Sequence, residues 1–102
     1  MLYLMMENSN GKYYVKVGEA SRPKERRKAY KTHNPTAIMR STCAGKKAEE
    51  KAARLILDKL GTRVQGSEWY EVNEKIYNEF YNKGLAIVRP KQNPIHFIEE
   101  KC

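Results

Sequence analysis

The chain has 102 residues, 31% of them charged and 40% hydrophobic, with a formal net charge of +8 at pH 7, which gives one small domain with a core of modest size. Two cysteines, Cys43 and Cys102, and two histidines, His33 and His96, exclude a disulfide framework and a structural zinc site. The apolar run at residues 1–6 is too short for a signal segment or a bilayer span, so the expectation is a cytoplasmic protein with reduced cysteines and no membrane contact.

Residues 2–7 and 12–18 are apolar, aromatic and β-branched, and they flank the turn formers Asn8-Ser9-Asn10-Gly11; the pattern predicts a β-hairpin. Ser21 and Pro23 then signal a helix start, residues up to 31 suit a short helix, and Asn34-Pro35 would stop it. A third strand is predicted over 36–43, turned by Ala44-Gly45. The clearest helix is 46–60, where Ala53, Ile56, Leu57 and Leu60 fall at i, i+3, i+4 and i+7 before Gly61. A brief strand fits 67–72. Asn73 can cap a helix to about residue 83 with Ile76, Tyr77, Phe80 and Tyr81 inward, Gly84 ends it, and 85–88 reads as a last strand. The domain is therefore expected over residues 1–88. Residues 89–102 form a tail whose Ile95, Phe97 and Ile98 would pack on the domain or on a second copy of it. The fold class is α+β: a small three-stranded antiparallel sheet flanked by helices.

The charge is uneven. Residues 1–60 carry 14 Lys/Arg against 6 Asp/Glu, whereas residues 61–102 carry six of each. Between Arg22 and Lys31 six basic residues stand against one acid, a footprint that suits a polyanion; the alternative is a solvated basic face. On the same helix Arg26 and Tyr30 are one turn apart and share a face. Lys12, Lys24, Arg27, Lys28, Lys31, Lys46 and Lys47 are candidates for phosphate contacts, which position DNA without reading it. Trp69 and Tyr70 can stack on a base or fill a core.

These motifs resemble the GIY-YIG nuclease superfamily, in its phage-associated and meiosis-up-regulated-gene branch. Leu2-Tyr3 stands for the first motif, Lys16-Val17-Gly18 for the second, Arg26 and Tyr30 for the helical arginine and its partner one turn later, and Asn34-Pro35 for the segment after the helix. Glu50 stands for the glutamate of the long helix, and GSEWYEV for the block that follows it. The resemblance covers about residues 1–72. Lys16 replaces a tyrosine common in the superfamily, and Arg54 replaces a histidine one turn after the glutamate. The resemblance implies a small GIY-YIG-like domain in which Tyr3, Lys16, Arg26 and Tyr30 are catalytic, Gly18 is structural and Glu50 holds Mg²⁺ or Mn²⁺, with the adjacent Glu49 as a rival ligand.

The chemistry of such a set is coherent. Phosphodiester hydrolysis needs a deprotonated nucleophile, and positive charge where negative charge grows. Arg26 can clamp non-bridging oxygens bidentately, Glu50 with water suits a hard cation, and Tyr3 can activate water if a cation such as Lys16 lowers its pKa. The expected activity is metal-dependent endonucleolytic cleavage of DNA, with RNA as a second candidate substrate and a homodimer as one way to cut both strands. Two other readings stand beside it: a DNA-binding module on the same fold without cleavage, and a protein-interaction factor that inhibits or recruits a partner.

Overall fold

The computed structural model describes residues 1–33, 36–88 and 94–98. The predicted hairpin is present as β1 (Leu2–Ser9) and β2 (Lys12–Glu19), antiparallel and in register from Leu2 opposite Glu19 to Ser9 opposite Lys12. Two residues close it. Asn10 at φ 54° and Gly11 at φ 75° both take the left-handed region that a two-residue type I′ turn demands, which is why Asn-Gly stands there. Helix α1 (Pro23–His33) follows, then β3 (Ile38–Cys43), α2 (Lys47–Leu60), β4 (Thr62–Arg63), β5 (Tyr70–Val72), α3 (Glu74–Lys83), a 3₁₀ turn (Gly84–Ile87) and β6 (Ile95–Phe97). The expected helix stop at Asn34-Pro35 and the cysteine at position 102 lie outside the described residues.

The α+β class holds, but the sheet has six strands among the described residues instead of three. All pairings are antiparallel, in the order β4-β5-β2-β1-β3-β6. Of the three strands not counted in the expected sheet, β5 is the last part of the brief strand expected over 67–72, while β4 and β6 are two and three residues long, too short to show alternation. Their partners define them: β5 pairs with Tyr13–Val15 of β2, and β6 pairs with Ser41–Cys43 of β3. The strand expected over 85–88 is instead the 3₁₀ turn. There the Leu85 amide donates to Ser41 Oγ at 3.1 Å, a side-chain acceptor in place of a ladder, and so satisfies a buried backbone donor.

Strand β1 lies in the middle of the sheet and is buried along Leu2–Met6, which explains its unbroken apolar run. Its two faces build two cores. Leu2, Leu4 and Met6 join Val15, Val17, Ala53, Leu57 and Phe80 under α2 and α3, while Tyr3 and Met5 join Ala37 and Met39 on the α1 face, flanked by Tyr30, Trp69 and Ile98. The α2 stripe is as expected: Ala53 and Leu57 are fully buried and Ile56 and Leu60 pack beside them. Asn73 caps α3, its Oδ1 accepting from the Ile76 amide at 2.8 Å. Tyr81, expected inward, is 42% exposed; its ring takes the Arg40 guanidinium at 3.9 Å, with Phe97 on the same cation at 5.0 Å. Among the described residues no helix is long and apolar enough to cross a membrane.

This topology leaves one end of the sheet open. Since β5 reaches only as far as Val15, β2 has no outer strand partner from Lys16 to Glu19 among the described residues. The first turns of α2 and the residue before Trp69 come to that edge.

Candidate active site

A small polar cavity of about 150 Å³ sits at this edge, lined by Tyr3, Lys16, Gly18, Glu19, Arg26, Lys47, Glu50 and Glu68. Six of these were singled out in the sequence, and they arrive from separate elements: Tyr3 from β1, Lys16 and Gly18 from β2, Arg26 from α1, and Lys47 and Glu50 from the first turn of α2. Period-two alternation puts Tyr3 on the α1 face of the sheet, and the antiparallel register places Lys16 opposite Met5 on that same face. Gly18 stands opposite Tyr3. A Cβ there would lie 2.3 Å from Tyr3 Cζ and Oη, so the glycine is the space into which the tyrosine ring fits. Tyr30 borders the cavity through Lys16, whose Nζ donates to the Tyr30 hydroxyl and lies 4.8 Å from the ring centroid.

The choice between the two adjacent glutamates is geometric. Glu49 Oε2 accepts from the Lys46 amide at 2.8 Å, the reach-back of an N3 glutamate to the helix start, whereas Glu50 faces the cavity. Glu50 is nearly buried and its Oε1 is 2.8 Å from Arg54 Nη2. Arg54 in turn lies 2.5 Å from Glu68 Oε1, and Glu68 Oε2 is 3.4 Å from Lys16 Nζ. A chain of alternating charge thus runs Glu50, Arg54, Glu68, Lys16 and ends on Tyr30.

Burial pushes the Tyr3 phenol well above its ordinary value, and Tyr30, by charge and by hydrogen bond, raises it further; Arg26 acts in the opposite direction but more weakly, and Glu68 adds to the rise. Lys16, expected to lower it, is spent on Tyr30 and Glu68. Tyr3 in this arrangement holds its proton and offers a donor.

The remaining basic candidates lie outside the cavity. Lys24, Lys28 and Lys31 are exposed on α1, Arg27 is half-buried there, Lys12 is exposed at the hairpin and Lys46 at the start of α2. The cavity opens into a wider groove of about 450 Å³ that shares Glu19, Arg26 and Lys47 with it and continues past Ser21, Arg22, Glu25 and Ala29. The basic helix therefore flanks the approach. His96 is exposed on β6 and does not line the cavity.

The described residues include no cluster of three or more His, Cys, Asp or Glu able to hold a metal ion, so an all-protein cage is absent from them. The donor set fits a different kind of site. Mg²⁺ and Mn²⁺ take carboxylate and water oxygens, and Mg²⁺ commonly keeps several waters with one or two carboxylates. Glu50 and Glu68 both line the cavity, and its volume accommodates an ion with a few waters.

The family model of the T5orf172 domain matches residues 1–84. The chain belongs to the T5orf172 domain family. This finding overturns the assignment to the GIY-YIG superfamily, for which no model matches. Comparisons with curated proteins and with solved structures gave no match. The T5orf172 domain is associated with phage and homing-endonuclease-like proteins and indicates a nuclease-like or DNA-binding role. Its match covers the strands and helices that build the cavity, from Tyr3 to Glu68.

Two lining residues of this T5orf172 domain, Glu19 and Glu68, were not assigned from sequence. Glu68 had a signal: it is the acid in the quoted GSEWYEV block, placed just before the aromatic pair that re-enters the sheet. Desolvation pushes its carboxyl up, but Arg54 and then Lys16 more than offset this, and the net shift is downward. A carboxylate lowered in the folded state adds stability above its ordinary value near 4.5, and that contribution is lost as pH falls through the lowered value. Glu68→Gln is therefore expected to be less stable than wild type at pH 7, with the gap closing below pH ~4. Urea melts of both proteins at several pH values check this, and a pH-independent gap contradicts it.

Proposed function

We propose that this chain is a metal-dependent endonuclease that hydrolyses DNA phosphodiester bonds at the cavity between α1 and the start of α2. One observation carries the reading: Tyr3, Lys16, Arg26 and Glu50, from four separate elements, line a single small polar cavity that opens along the most basic helix. A phosphate entering from the groove meets Arg26, whose planar guanidinium suits two non-bridging oxygens. Lys16, held by Glu68 and Tyr30, adds positive charge where negative charge grows on the phosphoryl oxygens. The Tyr3 hydroxyl donates to a phosphate oxygen. Glu50 would hold the Mg²⁺ or Mn²⁺, which when bound supplies Lewis-acid polarisation and an activated water. The purified protein incubated with supercoiled plasmid and with branched DNA in Mg²⁺ or Mn²⁺ should nick above the level of Arg26→Ala and Glu50→Ala preparations; equal levels reject the reading.

A second reading, DNA binding without cleavage, is favoured by the Arg54 contact. A Glu50 oxygen engaged by Arg54 at 2.8 Å is drawn from a metal, and the charge chain through Glu68 is complete without one. Both readings predict binding that weakens steeply with salt, and only the first predicts nicking.

The approach itself is testable under either reading. Lys28 is exposed on α1, so Lys28→Ala should leave the fold intact and weaken binding about equally for all sequences. The slope of log K against log salt should become shallower by about 1. Fluorescence anisotropy over a salt series measures it, and an unchanged slope removes this residue from the interface.

A further inference from the structure

Beyond the cavity, on the same face of the sheet, lies a second recess of about 390 Å³ lined by Glu7, Ser9, Tyr14, Val64, Ser67 and Trp69. Glu7 and Tyr14 are opposite one another in the β1–β2 register, four residues along β1 from Tyr3, or ~13 Å. Tyr30 stands between the two hollows: it accepts from Lys16 on one side and meets the Trp69 ring edge-on at 6.4 Å and 86° on the other. Lys16 and Lys12 share the face of Tyr14 and bracket it along β2.

The recess is unsuited to phosphate and suited to a base. Among the described residues its one charged lining side chain is the carboxylate of Glu7, which repels an anion. Its two aromatic side chains, Tyr14 and Trp69, offer the stacking surface that single-stranded nucleic acid uses, and the exposed Lys12 beside them offers a backbone contact of the kind that accompanies it. Glu7 Oε1 accepts from Thr36 Oγ1 at 2.7 Å, which fixes the carboxylate and uses one of about four lone-pair sites. Acceptor capacity is left for an amino group, as when Glu takes the cytosine N4 donor. The far wall is held in shape. The Val64 amide donates to the Trp69 carbonyl at 2.8 Å, Ser67 Oγ donates to the Val64 carbonyl and accepts from the Trp69 amide, each at 3.1 Å, and Arg63 Nε donates to the Ser67 carbonyl at 2.7 Å.

We propose that this recess is a base-binding subsite that takes an unpaired amino-bearing base, cytosine, adenine or guanine but not thymine, of the DNA strand whose phosphate lies in the cavity. The inference rests on the nucleic-acid reading of the cavity and adds a preference to it: a base with an exocyclic amine, presented by a single-stranded or branched segment. Trp69 and Tyr14 supply stacking and Glu7 selects the amino group over the carbonyl of thymine.

Trp69 is the sole tryptophan, so intrinsic fluorescence reports this recess. The full chain, without divalent cation, is titrated with short oligo(dC), oligo(dT) and an abasic oligomer of equal phosphate number; fluorescence is followed with unlabelled strands and affinity by anisotropy with labelled ones. Oligo(dC) should quench Trp69 and bind about 5- to 150-fold tighter than the abasic strand, the span that one stacked base supplies. Oligo(dT) should fall between them. Glu7→Gln, which removes the charge and adds a donor, should narrow the preference for oligo(dC) over oligo(dT); an unchanged dC-to-dT ratio in this variant contradicts the role given to Glu7. Equal affinity for all three strands with unchanged fluorescence overturns the subsite while leaving phosphate binding intact. No binding of any strand overturns the subsite together with the reading beneath it.

Discussion

Arg26→Ala is expected to lower plasmid nicking by about 10²–10³-fold, the loss that follows removal of one donor aimed at a developing oxyanion. The side chain is exposed on α1 and lines the cavity from its solvent side, so the substitution should leave thermal unfolding unchanged, and the loss belongs to chemistry and binding. Arg26→Lys retains the charge without the fork and should recover only part of the activity. Glu50→Gln provides a second arm. It preserves shape and an acceptor for Arg54 but removes the charge that would hold a cation, so its loss should not be relieved by raising Mn²⁺ to the millimolar range. Steady-state nicking and anisotropy on the same preparations separate the outcomes. A protein that binds DNA, loses affinity with Arg26→Ala and nicks in neither form is the binding module of the second reading.

How much of this could be read from the chain depends on whether a residue's role is set by its neighbours in sequence or by its neighbours in space. The hairpin, α2 and α3 were legible because Asn10-Gly11, the Ala53–Leu60 stripe and the Asn73 cap are local signals. The six-stranded sheet was not: β5 falls within the brief strand expected over 67–72 but was not counted in the sheet, β4 and β6 carry too few residues for a pattern, and all three exist through ladders to β2, β3 and each other. Residues 85–88 look like strand because Leu85 and Val88 are buried, yet Ser41 captures the Leu85 amide and keeps the segment in a 3₁₀ turn. The cavity was largely legible, since Tyr3, Lys16, Gly18, Arg26, Lys47 and Glu50 all line it. Glu68 was not assigned, because its meaning comes from Arg54 and Lys16, both distant in sequence. Which of the two adjacent glutamates faces the cavity was readable after all: Glu49 stands three residues after Lys46, where a helix start draws a glutamate back to its own amide. The superfamily assignment failed for a related reason. The spacing from Tyr3 to Gly18 to Arg26 records a hairpin followed by a helix, and such a scaffold does not single out one family.

The second large effect is expected at Gly18. No side chain leaves the site in Gly18→Ala, and the backbone needs no unusual conformation there, yet the new methyl would overlap the Tyr3 ring, with Cζ and Oη at 2.3 Å and Cε2 at 2.6 Å. Tyr3 is only 2% exposed and its ring is rigid, with Met5 and Tyr30 in the same cluster, so it cannot swing aside at little cost. Overpacking of this kind costs about 1–3 kcal/mol, or a fall in Tm of roughly 5–20 °C for a domain of this size. Activity should fall as well, by about 10²-fold if the Tyr3 hydroxyl shifts by the order of 1 Å, when assayed well below both melting temperatures. A double-mutant cycle isolates the cause: in a Tyr3→Leu background, which removes the overlapping atoms, Gly18→Ala should be nearly neutral, giving a coupling of about 1–3 kcal/mol. Additive penalties would mean that Gly18 matters for the strand itself and not for the tyrosine. If they couple as expected, the pairing of Tyr3 with Gly18 across β1 and β2 is a constraint on the cavity, because whatever stands opposite Tyr3 decides where its hydroxyl lies in the cavity wall.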